Sequence, residues 1–494
     1  TLKMNKHENG YLTVFLSLIF GIVMSFVIVL VNGAALSATR AQSELVADLG
    51  MDSVFAEYNR QILNQYELFF IDSSYGEVSG GIEKIRQHLE NYISYNISPQ
   101  KDILMPGSNC FLKLSNPYLE IEQASIASDN NAEVWKAQAI RYMKDNAGIG
   151  LVNEIKDYVD VVKGQSLDTI DVESELSSKI DEFEQMLNEK EILEFDKQND
   201  DGISYNSIRM AKDKLTGMGV VFITMPKDRS ISGKSVDISK YFTHRPSVNK
   251  GIGRHAGADD PKGVVDSLIY NEYLMLMCGD YLKQKPDSAL DYEIEYILYG
   301  NAKDRDNLYA AVKRILDVRS AANFIYLITS DSKRQNEADT IAQIICTLLT
   351  VPELSPALKY IILCEWAIAE AVSDVRDLLA GNKVSLLKND GKWKVSLFEF
   401  LTGTFFIGDI GAGGSSNEKG LDYRGYLRIL LALSNKDDIA ARSLDVVEMD
   451  IRKTPGNADF RIDRCVDYLK VGFGFEDGAG HEFVFKKEMC YEPN

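Results

Sequence analysis

Residues 10–39 read Gly10-Tyr-Leu-Thr-Val-Phe15-Leu-Ser-Leu-Ile-Phe20-Gly-Ile-Val-Met-Ser25-Phe-Val-Ile-Val-Leu30-Val-Asn-Gly-Ala-Ala35-Leu-Ser-Ala-Thr39, thirty positions without one charged side chain. At about 1.5 Å of rise per residue, the most apolar part, from Tyr11 to Val31, spans the roughly 30 Å hydrocarbon core of a bilayer. The stretch predicts a membrane helix. The helical pattern then runs on. Met51, Phe55, Tyr58, Ile62, Tyr66 and Phe69 recur at helical spacing, with Ser53, Glu57, Arg60 and Asn64 between them, so the sequence predicts one helix, apolar over 11–38 and amphipathic over 39–70. Asp48 stands at the edge of that stripe, where its carboxylate either bonds to the domain or lies half-exposed.

Lys3, Lys6 and Glu8 precede the apolar run, and Arg40, Glu44, Asp48 and Asp52 follow it. The basic excess on the N-terminal side predicts a cytoplasmic N-terminus (1–10) and an extracellular body at the cell membrane. The competing reading is a cleaved secretory signal ending near Ala35-Leu36-Ser37-Ala38. Its apolar region is long for a signal, and the pattern continues through the cut. The sequence starts at Thr1, so Met4 is a candidate initiator within a longer reading frame.

The remainder reads as globular protein. Its 494 residues are 45% hydrophobic and 26% charged, and 54 Lys plus Arg against 73 Asp plus Glu leave a net charge of −19, which opposes nucleic-acid binding by the body. Six scattered cysteines form no CxxC pair. They read as buried free thiols, with Cys465 and Cys490, flanking a terminal hairpin, as the pair placed to bridge.

In chain order, 71–226 reads as an α+β region with a helical insertion over about 132–200. Ile82, Ile85, Leu89 and Ile93 mark a helix; 111–114 and 118–124 read as strands. Leu176, Ile180, Phe183 and Leu187 suggest a helical hairpin projecting from the body, against a solvated insertion, and Val220–Met225 reads as a buried strand. A loop or linker covers 227–263, a mainly helical region 264–400, and a β-containing region 401–494 closes on a hairpin around Asp477-Gly478-Ala479-Gly480. The fold class is α+β: a long N-terminal helix leading into a mixed body with a helical core and antiparallel strands.

Two further stretches carry a resemblance. Gly10-Tyr11-Leu12-Thr13-Val14-Phe15 followed by Ala38-Thr39-Arg40-Ala41-Gln42-Ser43-Glu44-Leu45-Val46-Ala47-Asp48 resembles the N-terminus of TadE- and TadG-like pseudopilins of tight-adherence (Tad/Flp) pilus systems. Tyr66-Glu67-Leu68-Phe69-Phe70-Ile71-Asp72-Ser73-Ser74-Tyr75-Gly76 and Glu293-Ile294-Glu295-Tyr296-Ile297-Leu298-Tyr299-Gly300 resemble an uncharacterised clostridial family of membrane-anchored proteins. The first resemblance implies prepilin-type processing between Gly10 and Tyr11, with pilus or secretion-system membrane proteins as partners. Phe15 departs from it, standing where a pilin places an acid at the fifth mature position, so an uncut anchor stays open.

Catalytic signals are missing. No phosphate loop, HExxH helix or GxSxG elbow occurs. Gly408-Asp409-Ile410-Gly411 lacks dinucleotide-binding spacing; Asp196–Gly202 fails as a calcium loop at both ends. Ser330–Lys333 and Ser128-Asp129-Asn130 match penicillin-recognising motifs in reversed order, and His244 with His255, near Asp259 and Asp260, reads as a solvated loop pair. No catalytic, metal or cofactor-binding residue is assigned. The expectation is a non-enzymatic, single-pass surface protein held in lipid by its N-terminal helix. The alternative is a tethered cell-surface enzyme or ligand-binding sensor acting on envelope polymers.

Overall fold

The computed structural model describes residues 8–78, 80–97, 114–146, 150–192, 198, 200, 202–227, 229–253, 263–407 and 420–491. The chain divides into two compact units: residues 1–135, 247–259 and 455–494 form the first, and 136–246 and 260–454 the second. The fold is α+β, with a long apolar N-terminal helix, a helical body and an antiparallel sheet.

In the first unit, α1 (Glu8–Phe55) is one uninterrupted helix. Every residue from Tyr11 to Ala38 is exposed, and Thr39 is the first to be buried. Among the described residues it is the one helix long and apolar enough to cross a membrane. Beyond Thr39 one face enters the core through Ser43, Val46, Ala47, Met51, Val54 and Phe55. Gly50 lets α1 approach α3 (Ile82–Ile97) closely, because a Cβ there would lie 3.0 Å from Leu89 and 3.2 Å from Ile93.

The predicted continuous helix to residue 70 is interrupted. After Phe55 the chain turns, Tyr58 bridges to Ile71, and the Asn59 N–H bonds the Phe70 carbonyl at 2.8 Å. The Asn59 side chain then caps a new helix, α2 (Arg60–Tyr66), accepting from the amides of Gln61 and Ile62. Ile62 and Tyr66 resume the buried stripe, which is why periodicity alone joined two helices into one.

The sheet is built on β3 (Cys465–Asp477). It pairs antiparallel with β2 (Leu114–Ile126) along one side; along the other it pairs with β1 (Ile71–Asp72) and β4 (Glu482–Cys490). Central position explains the near-continuous burial of β3, whereas the edge strand β4 alternates. Phe473, Phe475 and Phe485 stack with centroids 5.8–6.3 Å apart in the core shared with α1 and α3. Asp48 bonds across to Lys487 of β4 at 2.8 Å. The predicted hairpin is the β3–β4 pair; the strand predicted at 118–124 lies inside β2, while that at 111–114 falls outside the described residues except for Leu114. Cys465 and Cys490 are free thiols: Cys490 lies opposite Tyr468, and Cys465 opposite Asp72.

The chain passes through α4 (Asp129–Asn146) into the second unit, with α5 (Gly150–Gly164), α6 (Val172–Glu189), α7 (Tyr205–Leu215), α8 (Gly217–Thr224) and α9 (Val264–Met277). Next come α10 (Glu293–Tyr299), α11 (Asp304–Ser330), α12 (Ser332–Leu348), α13 (Ser355–Leu379), α14 (Leu397–Leu401), α15 (Thr404–Ile407), α16 (Tyr423–Leu433) and α17 (Lys436–Arg452). The central helix is α13, buried almost throughout, with α6, α7, α8, α11 and α12 packed around it.

Two expectations are corrected here. The segment predicted as a projecting hairpin is the single helix α6, and its stripe, Leu176, Ile180, Phe183 and Leu187, is buried rather than free, with α13 as its main neighbour. The predicted strand Val220–Met225 lies largely in helix α8. A short apolar run does not distinguish the two states by itself. Here Val220, Val221 and Thr224 bury one helical face, and Arg376 of α13 donates to the Ile223 carbonyl at 2.6 Å, satisfying the helix end.

Candidate functional site

Gly10 and Tyr11 lie near the start of α1, and Tyr11 and Phe15 are exposed. The junction is therefore carried on helical backbone.

The second unit buries an unusual number of charges, and each cluster ties down a connecting segment. Glu293-Ile-Glu295, the stretch that carried a family resemblance, sits at the start of α10 with both carboxylates buried. Glu293 accepts from the Gly279 amide at 2.6 Å; Glu295 accepts from the Tyr281 amide at 3.1 Å and the Tyr423 hydroxyl at 2.7 Å. Asp450 of α17 pairs with Lys285 at 2.8 Å and accepts from the Ala289 amide. Burial pushes Glu295 up to about 8, with Asp280 adding to the rise. Asp445 accepts from the amide and hydroxyl of Thr243 and from Tyr296, and Glu448 accepts from Arg245 at 2.7 and 2.9 Å and from Arg452 at 3.1 Å. The 243–245 and 279–289 segments carry few apolar anchors, and these carboxylates fix their backbones.

A second cluster joins α11 to α13. Arg319, fully buried, donates to Asp374 at 2.6 Å, to Asn323 at 3.1 Å, and to the carbonyls of Ser385 and Leu386 at 2.9 and 2.6 Å. Lys388 bridges Glu370 at 2.5 Å and Asp374 at 2.6 Å, while Glu370 also accepts from the amides of Lys394 and Val395. Two cations thus balance two anions. Burial works against the Asp374 carboxylate, but Arg319 and Lys388 outweigh it and hold it below the usual range; burial and Asp374 push Glu370 up. The cluster fastens residues 385–395 onto the helices, and Trp366 and Trp393 both donate to the Val395 carbonyl beside it. Glu365 is the exception: it is buried on α13, neither carboxylate oxygen has a hydrogen-bond partner among the described residues, and burial pushes it well up.

In the first unit, Glu57 accepts from the Tyr75 and Tyr92 hydroxyls at 2.9 and 2.6 Å and lies 3.1 Å from His88 Nδ1. The sequence reading missed this group, because its members are separated by up to 35 positions. Only the His88 face of α3 offered a signal. His244 is exposed and bonds Thr243; His255, Asp259, Asp260, residues 408–414 and most of 196–202 lie outside the described residues. Asp129 accepts from the amides of Ile126 and Gly251, a loop contact, and Lys333 is exposed. No group of three or more His, Cys, Asp or Glu is arranged to hold a metal ion among the described residues.

A family of unknown function, DUF5702, matches residues 198–477. The chain belongs to the DUF5702 family. No curated protein and no solved structure matches it. The DUF5702 region takes in both buried charge clusters and the central strand β3, and leaves α1 outside. Most of its buried carboxylates accept from amides, hydroxyls or cations and hold connecting segments, while one oxygen each of Glu293 and Glu295 and both of Glu365 have no hydrogen-bond partner among the described residues.

Proposed function

We propose that this chain is a non-enzymatic, membrane-anchored surface protein, a pseudopilin-like component of a tight-adherence pilus or a related secretion machine. One observation carries the reading. A single helix is fully exposed and apolar over Tyr11–Ala38 and, without a break, becomes a core element of a domain with an antiparallel sheet from Thr39 to Phe55. A tether needs no such continuity. A subunit that must keep a fixed direction between its membrane helix and its body does, because an unbroken helix has no hinge.

In this reading the N-terminus is cytoplasmic and the body extracellular, following the placement of Lys3 and Lys6 before the span and Glu44, Asp48 and Asp52 after it. The partners are bilayer lipid and pilus or secretion-system membrane proteins. The enzyme alternative needs convergent carboxylates open to a cleft; Glu293 and Asp450 are instead engaged by a backbone amide and by Lys285. The test is crosslinking in native membranes followed by identification of the captured proteins. Capture of pilus-assembly membrane components is the expected result, and clean extraction as a lone monomer overturns the reading. The mass of the mature N-terminus separates an uncut chain from processing between Gly10 and Tyr11 and from loss near Ala38.

A further inference from the structure

In the second unit a cavity of about 270 Å³ opens between α4, α5, α9, α16 and α17. Lys136, Lys163 and Lys436 line it, and none of the three side chains forms an ion pair or hydrogen bond among the described residues. That is unexpected in so acidic a protein, where carboxylate partners are plentiful. Asp266, also on the wall, is engaged by Lys144 at 3.1 Å, which leaves Asp437 as the lining carboxylate without an ion-pair partner. Three lysines against one carboxylate give a local charge of about +2. Burial pushes the Lys136 ammonium down; Asp437 opposes this and Lys436 adds to it.

Asn271 supplies an independent observation. It is only 7% exposed, lines the same cavity, and has no side-chain hydrogen bond among the described residues. Its amide is not among the fully enclosed unsatisfied polar atoms, so it keeps access to the cavity space and is free to bond an occupant there. Leu268 and Leu431 add apolar wall. The volume falls just below the roughly 300–1,000 Å³ of drug-sized ligand sites, which sets the size of the occupant.

We propose that this cavity binds a small organic phosphate, its dianionic head held by Lys136, Lys163, Lys436 and the Asn271 amide and its apolar part resting on Leu268 and Leu431. Lysine is a compact point charge suited to phosphate, and a dianion matches the uncompensated charge where a monoanionic carboxylate does not.

The test is calorimetric titration of the full-length chain in detergent with phenyl phosphate, and with inorganic phosphate and benzoate for comparison. Phenyl phosphate is expected to bind more tightly than either, with affinity falling as salt rises. Lys136→Gln and Asn271→Ala should each weaken it about ten-fold, and the exposed Lys436→Gln about three-fold. Lys436→Gln leaves the buried wall intact and keeps the test informative should the other variants fail to fold. No binding of phenyl phosphate at millimolar concentration, equal binding of benzoate, or affinity unchanged in folded variants overturns the proposal.

Discussion

Replacing Arg319 with Met tests whether the buried charge cluster acts as a unit. The wild-type side chain satisfies Asp374 and the carbonyls of Ser385 and Leu386 from a position with no solvent access. Removing one member of a buried ion pair typically costs about 3–5 kcal/mol, because the partner is left charged and dry. With two carboxylates then sharing Lys388 alone, about 4 kcal/mol is expected, a large fraction of the 5–15 kcal/mol that ordinarily stabilises a domain. The loss also has a pH signature. Asp374 is held below its unfolded value, so in the wild type its contribution is complete above roughly pH 4 and is lost only below that. In Arg319→Met one of the two carboxylates takes up a proton on folding, so the variant gains stability as pH falls from 8 to 5 and the gap to wild type narrows. Adding Asp374→Leu restores one cation to one anion, Lys388 to Glu370, and should recover part of the loss. Denaturant unfolding followed by tryptophan emission suits the measurement, since Trp366 and Trp393, two of the three tryptophans, sit beside the cluster. A loss below about 1 kcal/mol, or one equal at pH 5 and pH 8, would refute the reasoning.

Gly50→Val places a branched side chain where a Cβ alone already meets Leu89 at 3.0 Å, and should destabilise the first unit by about 1–3 kcal/mol, read as a shift in its urea midpoint. Glu365→Gln removes an acid whose folded value is raised by burial. Such a group makes stability fall as pH rises from about 4.5 toward the folded value, by at most about 1.4 kcal/mol per pH unit, so the variant's stability should vary less with pH than wild type across that range.

The long helices at the centre of the second unit were legible because extended amphipathic runs leave an unambiguous period: the stretches 308–329, 337–349 and 357–379 fall on α11, α12 and α13, with ends within two residues and starts up to five residues late. The closing hairpin was legible from the alternation of Val471, Phe473 and Phe475. What failed was whatever a neighbour decides. Asn59 caps α2 after the end of α1, where Tyr58 also pairs with Ile71 and the Asn59 amide bonds the Phe70 carbonyl across the turn. Val220–Thr224 is rich in β-branched residues yet helical because α13 covers its face and Arg376 donates twice to the Ile223 carbonyl. The charge clusters were invisible for a related reason: Arg319, Asp374 and Lys388 look like ordinary surface charges until tertiary packing buries them together.

The chain order of the first unit makes a demand on folding. Its sheet depends on β3, the strand to which β1, β2 and β4 all pair, and β3 lies at residues 465–477, after the whole second unit. The buried face of α1, from Val46 to Phe55, therefore has no sheet to pack on until the last strands exist, although its exposed apolar half is made first. Such long-range closure is slow and leaves apolar surface open in the interval. Removing residues 455–494 should leave the second unit folded, since its buried clusters lie within 136–246 and 260–454. The first unit should lose its core. Limited proteolysis of the truncated chain should cut within 46–126 while the region around Trp366 and Trp393 stays protected. Protection of both regions would mean that α1 and α3 form a stable core without β3; loss of both would mean that the second unit does not fold independently.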